Sequence, residues 1–320
     1  MADTTTQAPA QTAPAGMVWV PGGEFAMGSD RHYPEEAPVH RVRVDGFWMD
    51  EHPVTNDEFA RFVADTGHVT FAEIPPDPKD YPGALPEMLY AGSLVFVQPP
   101  GPVDLRDIGN WWSFMKGADW RHPWGPESSI DGLGDLPVTH VCYTDAEAYA
   151  AWAGKALPTE AEWEFAARGG LDGAEFAWGD EMTPGGRFMA NTWQGEFPWQ
   201  ALGSDGFERT SPVASFAANG YGLYDMIGNV WEWTTDFYVR SHAANDDSCC
   251  IPSNPRGADE RDSYDPAQPE VRIARKVLKG GSHLCAPNYC RRYRPAARYP
   301  EPIDTSTSHV GFRCIRRIDA

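Results

Sequence analysis

Proline and glycine interrupt this chain too often for long helices or broad regular sheets: 29 Pro and 31 Gly are spread through 320 residues. Proline removes a backbone donor and fixes φ, and glycine loses more freedom on ordering than any other residue, so both belong in turns rather than element interiors. Irregular backbone is therefore expected over much of the length. Such a chain must be held by side-chain packing, and 13 Trp with only 22% charged residues can supply it. The length suits one large domain or two ordinary ones, and either buries a substantial core.

The formal charge of -20 argues against a nucleic-acid partner, because phosphate binding needs a basic face. Solubility is account enough for the acidity. No apolar run approaches the roughly 20 residues of a membrane span. Residues 1–16 are mostly Thr, Ala, Pro and Gln, with neither the basic nor the apolar region of a secretory leader; they read as a disordered tail preceding a folded region over 17–320. Six cysteines this scattered do not form the dense framework of a small secreted domain, which points to a reducing, cytoplasmic setting.

Strands are expected over Val18-Trp19-Val20 before the Pro21-Gly22-Gly23 turn, over Val39 to Val44, and at Phe47-Trp48-Met49. A helix starting at Thr55-Asn56 carries Phe59, Phe62 and Val63 on one face and stops at Gly67. Two capping boxes, Thr144-x-x-Glu147 and Thr159-x-x-Glu162, announce further helices whose aromatics Tyr149, Trp152 and Trp163 belong to the core. Residues 74–137 carry Trp111, Trp112, Trp120 and Trp124 with little periodicity, and either serve function or cover the core. Residues 240–268, with the vicinal Cys249-Cys250, read as a surface excursion. No internal repeat is present.

The chemistry concentrates in Gly280-Gly281-Ser282-His283-Leu284-Cys285 and the following Cys290-Arg291-Arg292-Tyr293-Arg294. Two cysteines five positions apart can close a small disulfide, hold a soft metal, or supply a nucleophilic or redox thiol with its partner. Arg291, Arg292, Arg294 and Arg298 either lower the thiol pKa values or pair with core carboxylates. His283 and His309 lack metal-ligand spacing and read as packing or loop residues. By residue type alone, Ser282 is a turn residue and Tyr289 a packing residue.

With these segments the chain resembles the formylglycine-generating enzymes, or sulfatase-modifying factors, from about residue 17 to residue 316. Pro21-Gly22-Gly23-x-Phe25-x-Met27-Gly28, Leu157-Pro158-Thr159-Glu160-Ala161-Glu162-Trp163-Glu164, Ala190-Asn191-Thr192-Trp193, Gly228-Asn229-Val230-Trp231-Glu232-Trp233 and Gly311-Phe312-Arg313-Cys314 mark the superfamily. The intact Cys285-x4-Cys290 singles out its copper-dependent oxidases. The resemblance implies a single-domain α+β, C-type-lectin-like fold poor in regular structure. It implies Cu(I) held by Cys285 and Cys290, with Cys290 exchanging with the substrate thiol, Ser282 and Tyr289 near the oxygen site, and Trp231 along the metal face. It further implies structural Ca2+ at Asn191, Thr192, Asp205 and Phe207, and a second Ca2+ at Asp225, Gly228, Val230 and Glu232. Without it, Asp205-Gly206 is a turn and Glu232 part of a solvated face.

The implied reaction turns the cysteine of a Cys-x-Pro-x-Arg segment in an unfolded sulfatase into Cα-formylglycine, using O2 and an external thiol reductant, by a monomer. Two other classes share the superfamily segments. A non-catalytic binding module would not need both cysteines, and a non-heme iron oxygenase would need a histidine cluster on an N-terminal helical domain.

Overall fold

The computed structural model describes residues 13–79, 81, 83–242 and 250–318; residues 1–12 of the expected tail, and Cys249, lie outside it. The elements run β1 (Met17–Val20), β2 (Gly23–Met27), β3 (His40–Val44), β4 (Phe47–Asp50), α1 (Asn56–Thr66), β5 (Gly92–Phe96), β6 (Trp112–Lys116), α2 (Tyr143–Trp152), α3 (Glu160–Arg168), β7 (Trp231–Phe237), β8 (Arg275–Lys279), β9 (Arg298–Pro302), β10 (Val310–Gly311) and β11 (Ile315–Arg317). Long loops separate short elements, as the proline and glycine content requires. The architecture is α+β: a sheet ordered β10-β7-β8-β9, a second ordered β1-β4-β11, and the hairpins β2-β3 and β5-β6.

The first strands and α1 fall where the pattern places them. Thr55 and Glu58 close a capping box, Gly67 ends the helix at φ 69, and Phe59, Phe62 and Val63 are buried. α2 departs from expectation. It begins two residues early: Asp145 Oδ2 accepts from Cys142 N, so Cys142 and Asp145, not Thr144 and Glu147, form the cap. The Asp145 carboxylate also accepts from His68 and Phe71 N, a tertiary demand that the local pattern cannot reveal. Trp152 is 39% exposed rather than core, its ring lying at the rim against Phe62 and Tyr149.

α3 is the hub. The Thr159–Glu162 capping box starts it as expected, and all nine of its residues are buried, three glutamates and an arginine among them. It packs against β2, β3, β7 and β8. Burying a carboxylate is costly unless it is paired. Accordingly Glu164 binds Lys279 Nζ at 2.9 Å and Arg168 at 2.7 Å, and Glu160 accepts from Arg298 at 2.9 Å. Burial alone would raise the Glu164 carboxyl, but Lys279 and Arg168 override it and hold the group at about 2.

Of the 74–137 segment, Trp120 packs against Phe59 in the main core, whereas Trp111 joins a second cluster with Trp193, Phe197 and Leu284. The segment thus serves both ends. The described part of 240–268 is tethered where Pro252 O accepts from Arg43 N and Asn254 bonds Asp45.

Glu164→Gln leaves Lys279 and Arg168 short of a counter-charge and is expected to destabilise the protein by about 3–5 kcal/mol in denaturant unfolding. The folded pKa of Glu164 lies below its ordinary 4.5, so this carboxylate's contribution is fully present above pH 4.5 and is lost as pH falls toward 2. Acid titration should show that loss in the wild type and a flatter profile in the variant.

Candidate active site

The cysteine loop follows β8 through two glycines in the left-handed region, Gly280 (φ 88) and Gly281 (φ 72). A Cβ on Gly281 would meet Arg292 O at 2.7 Å, so the two limbs of the loop cross at a distance only glycine allows. The turn brings Ser282 N to Cys285 Sγ at 3.4 Å, and the Ser282 carbonyl accepts from Cys285 N at 2.9 Å. The far limb is clamped by residues 33–36. Arg292 donates to Glu35 at 2.6 Å with its guanidinium 3.8 Å from the Tyr33 ring, and Arg294 forms a buried fork with both oxygens of Glu36. Of the four arginines, Arg294 and Arg298 thus pair with core carboxylates, and Arg292 also reaches the thiols.

Cys285 Sγ and Cys290 Sγ lie 3.4 Å apart and are not bonded. Their surroundings make them unequal. Burial pushes the Cys285 thiol well above its ordinary value, and its hydrogen bond to Cys290 adds to the rise. The same bond, with Cys285 S–H donating, pulls Cys290 down to about 6, assisted by the Arg292 guanidinium, whose Nη1 is 3.8 Å from Cys290 Sγ. Near pH 7 the pair is one buried thiol and one more accessible thiolate. Cys142 and Cys314 are buried elsewhere, their thiols pushed up chiefly by burial.

The pair faces a cavity of about 310 Å³ whose walls include Trp231, Tyr289, Tyr299 and Phe197. Tyr289 stacks on Phe197 at 4.7 Å and meets Trp111 edge-on at 5.3 Å, yet remains 38% exposed. Ser282, Cys285, Cys290, Tyr289 and Trp231 all line this one cavity. His283 is a packing residue: its Nδ1 is bonded to Asn229 O, and burial lowers it to about 4. His309 likewise sits in a turn with its ring packed on Trp112 at 4.8 Å, on the wall of the cavity, and burial lowers its pKa. Phe197, Trp111 and Glu301 also line the cavity; each lies in no local motif, and nothing short of the tertiary fold brings them here.

The two oxygen-rich sets differ in their fit to a cation. In the first, Thr192 O and Asp205 Oδ2 both converge on the Gln194 amide nitrogen, while Asn191 donates to Arg209 O and leaves its own amide oxygen available. Phe207 follows on the same turn, its N–H on Asp205 Oδ1. Oxygens gathered on one donor suit a hard cation in that donor's place. The second set does not fit. Both Glu232 oxygens are taken, by Arg313 at 2.7–3.0 Å and by Trp163 Nε1 at 2.7 Å, and Arg313 also donates to the carbonyls of Tyr224 and Asp225. Asp225 Oδ2 accepts from Ala214 N. Glu232 is 1% exposed, so it is neither a solvated face nor a free ligand.

An α+β scaffold that sets two unbonded thiols side by side at an aromatic cavity is a frame for soft-metal or thiol redox chemistry. Comparison with known proteins identifies the family. The Sulfatase-modifying factor enzyme 1-like domain matches residues 2–318. The chain is 54% identical over 301 residues, 93% of its length and 97% of the relative's, to a formylglycine-generating enzyme of Mycobacterium tuberculosis. It is 44% identical over 314 residues to one of Mus musculus, covering 97% of this chain and 77% of that one. It is also 37% identical over 310 residues, 93% of this chain and 84% of the relative, to an "inactive C-alpha-formylglycine-generating enzyme 2" of Mus musculus. The structure of PvdO from Pseudomonas aeruginosa shares the fold, with a TM-score of 0.63 at 24% identity over 94% of each chain. The chain belongs to the sulfatase-modifying factor family.

In metal-free protein, alkylation of Cys290 by iodoacetamide, followed by peptide mass spectrometry across pH, should show a midpoint near 6. Cys285→Ala, which removes the donor to the thiolate, should move the midpoint up further than Arg292→Gln. A wild-type midpoint at the ordinary thiol value would remove the assigned asymmetry.

Proposed function

We propose that this protein is a formylglycine-generating enzyme that activates sulfatases, oxidising the cysteine of a Cys-x-Pro-x-Arg segment to Cα-formylglycine with copper, O2 and an external thiol. The observation that carries the reading is the unbonded Cys285–Cys290 pair, 3.4 Å apart, opening on an aromatic cavity. Family membership alone does not decide activity, since one relative is named inactive; the unbonded thiol pair supports the active reading. The separation exceeds the roughly 2 Å of a disulfide and is less than twice the roughly 2.3 Å of a metal–thiolate bond, so one soft metal fits both sulfurs.

Cys290 holds the more accessible thiolate and is the group that exchanges with the substrate thiol, while Cys285 stays behind it as the buried partner. Ser282 N–H holds Cys285 Sγ in place, and Arg292 keeps Cys290 charged. Trp231, Tyr289 and Phe197 keep water from the sulfurs while leaving room for an extended segment, with Ser282 and Tyr289 lining the side open to O2. Cu(I), when bound by the two cysteines, supplies the one-electron chemistry through which O2 reacts with the substrate cysteine. Overall, the substrate thiol R–CH2–SH, O2 and two external thiols become the aldehyde R–CHO, hydrogen sulfide, one disulfide and water. In this reading the first oxygen-rich set, Asn191, Thr192, Asp205 and Phe207, holds the one structural Ca2+.

Incubation of a Leu-Cys-x-Pro-x-Arg peptide with the protein, Cu(I), dithiothreitol and air should yield an aldehyde by mass spectrometry that requires copper and oxygen. Cys285→Ser and Cys290→Ser should each abolish turnover and Cu(I) binding; near-normal activity in either would remove the dithiolate mechanism. Elemental analysis should find about one calcium per chain, and its chelation should lower the Tm without removing copper. Two calcium ions per chain would contradict the commitment of Glu232 to Arg313.

A further inference from the structure

Among the described residues that line the thiol cavity, Glu301 on β9 is the one carboxylic acid. It shares a strand face with Tyr299, two positions before it, whose ring lies 5.9 Å from that of Trp231. The prolines on either side, Pro300 and Pro302, are tolerated because β9 is the outer strand of its sheet. Glu301 therefore stands in the same wall as the aromatics that flank the cysteines.

Unlike Glu35, Glu36 and Glu160, it has no cation among the described residues. Glu35 is taken by Arg292, Glu36 by Arg294 and Glu160 by Arg298. Lys276 lies directly across the sheet from Glu301, but its ammonium is spent on Thr235 O at 2.6 Å and on the Phe237 ring at 3.3 Å. Among the described residues Glu301 forms no ion pair. Burial without a counter-charge, aggravated by Asp304 and only partly relieved by Thr305, pushes its carboxyl up to about 8. A carboxyl kept in a cavity wall without a partner is unfavourable for the free protein and favourable for a complex that brings the partner. Arginine is the side chain best shaped to do so, by a two-pronged contact with both oxygens.

We propose that Glu301 is the specificity-determining residue of this site, receiving the guanidinium of the substrate segment's arginine while its cysteine meets Cys290. The inference rests on the proposed reading of the site and adds the group that reads the +4 position. An extended segment carries that arginine about 13 Å beyond its cysteine, and Cys290, Tyr299 and Glu301 line the same cavity.

The test compares two peptides, Leu-Cys-x-Pro-x-Arg and its counterpart with citrulline, which keeps the shape of arginine and removes the charge. With the copper-loaded full chain, kcat/KM should favour arginine about 10- to 100-fold, and Glu301→Gln should bring the ratio to within about threefold of unity. Glu301→Asp, which keeps the charge, should retain a preference. Binding of the same peptides with serine in place of cysteine, read by fluorescence anisotropy, should show the same pattern without turnover. If both peptides bind with the expected ratio and neither is oxidised, the reaction assigned to the site fails and Glu301 stands. If the peptides are oxidised or bound without discrimination, are not bound at all, or if Glu301→Gln keeps the full preference, the assignment of Glu301 is overturned.

Discussion

The structure depends on ion pairs kept out of water. Glu160 and Glu164 sit on a helix buried on every side, and Lys279, Arg168 and Arg298 meet them from β8, from the helix itself and from β9. Desolvating so many charges costs several kcal/mol per ion, which mutual attraction recovers only when the geometry is right. A chain with few regular hydrogen-bonded elements gains from this a demanding geometric condition: a slip of α3 against the sheet would strand a charge. The same device extends to the reactive loop, where the Arg294–Glu36 fork, 1% and 0% exposed, fixes the limb carrying Cys290. The position of the thiols therefore rests on the core's ion pairs together with the glycine turn of the loop itself.

Internal arginines also neutralise buried carboxylates. The chain's acidity leaves many carboxylates and few cations, with 46 Asp and Glu against 26 Lys and Arg, and several of those cations are interior. Arg313 neutralises Glu232 and caps two backbone carbonyls, giving a fixed, always-charged centre where the family pattern suggests calcium. The Asn191–Asp205 turn has no guanidinium of this kind; a neutral amide, Gln194, bridges its oxygens. Electrostatics thus separates two sets of residues that look alike when written as a sequence of oxygen donors.

How much was legible beforehand follows from how local each cause is. The capping boxes of α1 and α3 are four-residue events and were readable, as were the early strands and the thiol pair. The start of α2 was not, because Asp145 answers to His68 and Phe71 as well as to its own helix. Trp152 fits a core stripe by spacing, but at the last position of α2 its ring meets only the rim formed with Phe62 and Tyr149 and stays 39% exposed. The clustering of Ser282, Tyr289 and Trp231 around the cysteines was legible through family resemblance; the contribution of Phe197 and Trp111, each over 80 residues from Cys285, required the fold. Glu301 was invisible for the same reason, since a lone glutamate between prolines carries no signal until its strand is placed beside Trp231.

The unequal thiols follow from this arrangement of core and loop. Two cysteines in equal surroundings would titrate as an undifferentiated pair, but Cys285 lies on the inner limb, 2% exposed, and Cys290 on the outer limb beside Arg292. Depth raises one thiol and the hydrogen bond it then donates lowers the other, so each shift reinforces its neighbour's. Arg292 must hold this position while also paired with Glu35, which anchors it without removing its charge from the sulfur. The asymmetry thus arises from placement: the buried ion pairs set the depth of each limb, the limbs set the character of each sulfur, and Cys290 is the more accessible of two sulfurs that line the cavity.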